Sequence, residues 1–171
     1  MIDMAIVKAN YTKSLGSAKA NIRYIQHRTG KDGAKIVRSL FGSDGIMNRG
    51  EAYRMIDEAE NGSVFFRLKI SPDAKTEDTK RDLFLQEVTQ KTLDTLEQRI
   101  GTSVSYVASI HDDHTDLRHV HVLAIVKGRL NAADFKAMRE TATSVSLEQR
   151  KSRDQFAEQQ KEKGEEKQSE L

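Results

Sequence analysis

The amino-acid sequence predicts an α+β fold: a two-layer sandwich with a central antiparallel β-sheet and helices on one face. Short β-like runs alternate with longer segments of helical periodicity, which is the pattern of a sheet packed under helices. Two of the β-like runs, 104–110 and 119–126, are separated only by a short polar loop. If the two pair as a hairpin, they place an antiparallel unit in the middle of the sheet. The 171 residues suffice for one domain with a real core, and no internal repeat divides them.

Taken in order, Met4–Lys8 (MAIVK) predicts a first strand, broken by Ser14–Ser17. Ser17 is the expected cap of a helix running to about Arg28, with Gly30 just past its end. Ala18, Ile22 and Ile25 follow helical spacing and should face the sheet, whereas Tyr24 shares the polar side with Asn21 and Arg28. Residues 31–50 are glycine-rich, and Ile36-Val37 with Leu40-Phe41 should tuck a connector against the body. A helix is expected over Arg49–Ala59 and a strand over Ser63–Ile70, stopped by Ser71 and by Pro72, the only proline. Thr76–Arg99 predicts the longest helix, with an apolar stripe of Phe84, Val88, Leu93, Leu96 and Ile100 closed by Gly101. After the hairpin, Asn131 should cap a further helix to about Met138. Residues 1–147 are thus read as the domain, and 148–171 as a charged tail, helical or disordered.

Composition sets outer bounds. Charged residues make up 32% of the chain, and no apolar run approaches the ~20 residues of a membrane helix. No signal peptide is expected from the N-terminal sequence. The absence of cysteine excludes disulfides and thiolate metal sites and fits a cytoplasmic protein. Net charge is only +2, yet residues 1–50 carry nine Lys/Arg against three Asp, so the remainder is net negative. Such a basic N-terminal third points to a local polyanion contact, though surface lysines and arginines often serve only solvation.

The chemistry concentrates in the hairpin. Four of the five histidines, His111, His114, His119 and His121, fall within eleven residues. On a strand His119 and His121 point the same way, and the end of the facing strand brings His111 beside them. Three converging imidazoles can hold a divalent cation, although a lone His-x-His more often has a structural role. Asp112, Asp113 and Asp116 add oxygens that can orient an imidazole or ligate directly.

Three stretches resemble the relaxases, the mobilization nucleases of plasmids and conjugative elements, within the wider class of HUH endonucleases. They are AKANIRYIQHRTG, the segment RLKISPDAKTEDTKRDLFLQEVTQKTLDTLEQRIGTSVSYVASIH, and HDDHTDLRHVHVLAIVKG, together covering much of residues 5–130. The last is similar to the family's H-x-D … H-x-H motif and is the most specific. The chain departs in having Arg118 where the family usually has proline, and Tyr106 near the place of a tryptophan.

The resemblance implies strand-specific nicking and rejoining of single-stranded DNA at an origin of transfer, next to a hairpin and with accessory mobilization proteins. It implies Tyr24 as the nucleophile, forming a 5′-phosphotyrosyl link, with Tyr11 as runner-up and Tyr53 structural. It also implies Mg²⁺ or Mn²⁺ on His111, His119 and His121, with His114 an alternative first ligand and Asp113 at the acidic position. Imidazole donors by themselves favour Mn²⁺ or later metals over Mg²⁺. Lys13, Arg23, Arg28 and Lys31 cluster near Tyr24 in sequence and would line the phosphate path. Two other classes stay open: a non-catalytic single-stranded nucleic-acid-binding module, using aromatics such as Phe65, Phe66 and Tyr106, and a metal-dependent nuclease using activated water.

Overall fold

The computed structural model describes residues 4–27, 33, 36–112 and 117–169. Its elements run β1 (Ile6–Thr12), α1 (Leu15–His27), β2 (Leu40–Gly42), β3 (Gly45–Met47), α2 (Arg49–Asp57), β4 (Val64–Ser71), α3 (Leu85–Ile100), β5 (Ser105–His111), β6 (His119–Val126) and α4 (Ala132–Ser169). The six strands form one sheet in the order β1-β4-β6-β5-β2-β3, with every pairing antiparallel. The α+β sandwich on an antiparallel sheet is as the sequence predicts.

Strand alternation divides the core in two. Val120, Val122, Ala124 and Val126 of β6 turn to one face, where Val88, Leu93 and Leu96 of α3 and Met138 and Ala142 of α4 cover them. Leu123 of β6, Val107 of β5 and Phe65 of β4 turn to the other, against Ala18, Ile22 and Ile25 of α1 and Ala52 and Ile56 of α2. The helices therefore divide between the faces. α3 and α4 form the main layer, while α1 and α2 cover part of the face that the sequence left open. Ala18, Ile22 and Ile25 are the stripe expected from helical spacing.

Local chemistry moves several boundaries. α1 begins earlier than expected because Ser14, not Ser17, caps it: the Ser17 N–H donates to Ser14 Oγ at 3.1 Å. Residues 40–47, expected as a connector, form the β2–β3 hairpin, which joins the sheet through Phe41 opposite Ala108. Gly42 permits that approach, since a Cβ there would lie 2.8 Å from the Tyr106 carbonyl oxygen. α3 closes at Gly101 in the left-handed conformation, as its sequence indicates.

The helix expected from Thr76 starts only at Leu85, because side chains between capture the backbone. Asp73 Oδ2 accepts from the Thr76 N–H at 2.8 Å, Asp78 Oδ1 accepts from the Leu83 N–H at 3.2 Å, and Arg81 adopts φ 53°. Phe84, expected in the apolar stripe, is exposed, and both its backbone groups bond the Gln149 amide of α4. Asn131 caps α4 as predicted, accepting from the Asp134 N–H at 2.9 Å. The helix then continues through residue 148, and buried Arg150 pairs with Asp82 at 2.6 Å. The Asp82 carboxyl is held below its usual range by the Arg150 hydrogen bond.

The 73–84 segment also grips the histidine loop at both ends. Arg118 Nε and Nη2 donate to the two oxygens of buried Asp78 at 2.9 and 3.1 Å, and Nη2 donates to the Leu83 carbonyl at 2.8 Å. Arg81 Nη2 donates to the Asp112 carbonyl at 2.6 Å. Arg118 thus does in this chain what a stiff proline does by restricting the backbone: it fixes the entry to β6.

Two stability outcomes follow. Asp78→Ala leaves the Arg118 guanidinium without its carboxylate and should cost about 3 kcal/mol in urea unfolding. Glu77, fully buried, has its carboxyl pushed up from 4.5 to about 7, chiefly by desolvation. Because folding favours the neutral acid, its contribution is full below pH 4.5 and is lost as pH rises through about 7. Urea titrations across that window should show wild-type stability falling by on the order of 3 kcal/mol relative to Glu77→Gln. Parallel curves for the two proteins would refute the buried-acid assignment.

Candidate functional site

His111 closes β5 and pairs directly with His119, the first residue of β6; His121 follows on the same face. Their ligand nitrogens all lie within 4.8 Å of one another. The His119 and His121 Nε2 atoms are 3.2 Å apart. Nitrogens bound at ~2.1 Å to one ion would stand about 3.0–3.4 Å apart, the spacing this hydrogen-bonded pair has.

Hydrogen bonds fix the tautomers. His111 Nε2 lies 2.9 Å from the Ile25 carbonyl of α1, and His119 Nδ1 lies 3.1 Å from the Leu117 carbonyl. A carbonyl can only accept, so these nitrogens carry protons, which leaves His111 Nδ1 and His119 Nε2 as the atoms available to a metal. The Ile25 carbonyl also belongs to the last turn of α1, the negative end of the helix dipole, which favours a nearby cation. With two of the rings so oriented, the three imidazoles are a donor set that fits a divalent metal.

Tyr24 joins this cluster. Its ring stands edge-on to His121, with centroids 6.4 Å apart and planes at 83°. It is 54% exposed, on the side of α1 opposite the buried stripe. Both residues line an open groove of about 750 Å³ between α1 and strands β1 and β4.

The other tyrosines stand elsewhere. Tyr11 pairs with Phe66, on the α3–α4 face of the sheet and away from the histidines. Tyr53 accepts from Arg23 Nη1 at 3.3 Å across the α1–α2 contact. Tyr106 is buried on the α3–α4 face, and burial pushes its hydroxyl up to about 12.

The basic residues predicted for the phosphate path fare differently. Arg23 turns to Tyr53, and Lys13 lines a separate groove with Tyr11. Arg28, Lys31, Asp113, His114 and Asp116 lie outside the described residues. Among the described residues, the groove beside Tyr24 is lined by Lys8, Arg67 and Lys69, with Asn10 and Asn21. Lys8, Lys69, His121 and Ser109 are consecutive cross-strand partners, one row running across four strands. Two lysines directly opposite one another destabilise a sheet unless an anion lies between them. Period-two alternation in Arg67-Leu68-Lys69 signals a polar face, but only the β4–β6 register puts that face beside His121.

No family model matches the chain, and no curated protein or solved structure matches it either. Among the described residues, no helix is long and apolar enough to cross a membrane.

The donor set generates a metal prediction. Saturating Mn²⁺ should raise the melting temperature, by roughly 2–3 kcal/mol of added stability at about 100 times Kd. His121→Ala, a partly exposed position, should fold and lose the shift. An equal shift in that variant, read by differential scanning fluorimetry, would remove the histidines as the site.

Proposed function

We propose that this protein nicks and rejoins single-stranded DNA through a tyrosyl intermediate, as a cytoplasmic relaxase acting beside a hairpin at an origin of transfer. One observation carries the proposal: an exposed tyrosine stands edge-on to a three-histidine cluster, on the wall of a groove whose charged side chains, among the described residues, are all cationic. This is the combination that phosphoryl transfer to a side chain needs. It requires a nucleophile, positive charge around the phosphate, and access for an extended polymer.

In this mechanism Lys8, Lys69 and Arg67 hold phosphates of the strand and set its register. The Tyr24 phenolic oxygen attacks the scissile phosphorus. One P–O bond forms to tyrosine as the P–O3′ bond breaks; the phenolic proton passes to solvent, and the departing 3′ oxygen takes one up. One phosphodiester replaces another, so the 3′-hydroxyl can attack in reverse and reseal the strand. His111, His119 and His121 would hold Mn²⁺ or Mg²⁺, which supplies charge for the non-bridging oxygens of the reacting phosphate. The Ile25 and Leu117 carbonyls keep two of those rings in the tautomer that binding needs.

The test incubates the protein with Mn²⁺ and single-stranded origin oligonucleotides, followed by denaturing electrophoresis. A covalent protein–DNA adduct is expected, lost in Tyr24→Phe and retained in Tyr11→Phe. Cleavage without an adduct would assign a nuclease using activated water. Binding without cleavage would leave a nucleic-acid-binding module. Either result overturns the tyrosyl mechanism.

A further inference from the structure

β1 is an edge strand, and a groove lies on each side of it. The second, of about 360 Å³, opens on the opposite face from the histidines. Its aromatic residues are Phe66, Phe135 and Tyr11, and the Tyr11 and Phe66 rings are 5.6 Å apart, tilted by 44°. Tyr11 stays 54% exposed despite that contact. Lys13 and Arg129, both exposed, flank the groove, and no acidic side chain lines it among the described residues. Ala9 and Asn10 line both grooves, so a strand leaving the first has only the β1 edge to cross.

We propose that this second groove is a base-stacking subsite, in which Tyr11 offers its ring face to a base of single-stranded nucleic acid while Lys13 and Arg129 hold the flanking phosphates. The size suits one base, and aromatic rings beside cations are what unpaired nucleotides bind. Choosing nucleic acid rests on taking the histidine groove as the path of the same strand. The sequence grouped Lys13 with Tyr24; its position assigns it to this subsite.

The 171-residue chain is titrated without divalent metal against a fluorescent oligothymidine and an abasic oligonucleotide of equal length, by anisotropy. Wild type should prefer the base-bearing strand. Tyr11→Ala should weaken that binding about ten-fold or more, leaving abasic binding nearly unchanged. Tyr11→Phe, which keeps the ring, should bind like wild type and guards against misfolding as the cause. Lys13→Ala should lower the slope of log affinity against log salt by about 0.7. Equal wild-type affinity for both strands, or a Tyr11→Ala variant that keeps the preference, overturns the subsite. A polyglutamate peptide whose binding needs Tyr11 as much as the oligonucleotide's does would assign the groove to acidic protein and overturn it as well. An adduct at Tyr24 with unchanged Tyr11→Ala affinity sinks the subsite alone. Lost preference without any adduct supports the subsite and sinks the nicking mechanism alone.

Discussion

The site depends on how α1 ends. The last turn of a helix leaves carbonyls with no partner in the helix, and inside a protein those oxygens must be answered. In α1 the Ile25 carbonyl takes the His111 ring nitrogen, and the Gln26 carbonyl takes the Arg38 N–H at 2.9 Å. The Gln26 side chain also accepts from Arg49 Nε at 2.9 Å. Beneath them Ile22 and Ile25 are fully buried. A helix seated on its apolar stripe and tied at its final carbonyls has little freedom to rotate. Tyr24, one residue before Ile25, is therefore set relative to a histidine 86 residues beyond that carbonyl's own.

The other half of the site is a matter of register. Shifting β6 by one residue would turn His119 and His121 toward α3 and α4 and put valines in the groove. Two devices oppose the slip. The alternate residues Val120, Val122 and Ala124 are almost wholly buried against the helical layer. The loop ends are gripped by the 73–84 segment through Arg118–Asp78 and Arg81–Asp112. That segment forgoes helix to do so. Its carboxylates hold backbone N–H groups and a guanidinium, and a continuous helix from Thr76 would not aim them that way.

How much of this was legible in the chain varies with the range of the interaction. The histidine hairpin was readable because its residues are close in sequence and period two fixes their face. The α1 stripe was readable for the same local reason. What escaped depended on distant partners. The short β2–β3 hairpin exists because Gly42 can lie against Tyr106, and the late start of α3 reflects Arg118 and Gln149 reaching in from later elements. Tyr11 and Tyr24 differ little as isolated tyrosines; only the β1–β4 pairing turns Tyr11 to the opposite face from the histidines. Among the described residues, the cations lining the groove beside Tyr24 come from strands, which charge counted along a chain does not reveal because it ignores which strands pair.

These constraints make the three histidines unequal. His121 is partly exposed, faces the groove and stands against the ring of Tyr24. His111 is fully buried, and its Nε2 proton is the bond that answers the Ile25 carbonyl. Removing the His121 ring takes away a candidate donor and leaves the His111–Ile25 bond in place. Removing His111 takes away a donor and also orphans a buried carbonyl, at a cost of about 1–3 kcal/mol that the last turn of α1 can relieve only by moving. Tyr24 sits in that turn. The proposed ligand His111 and the proposed nucleophile Tyr24 are thus coupled through one hydrogen bond, so a defect at His111 would report on both together.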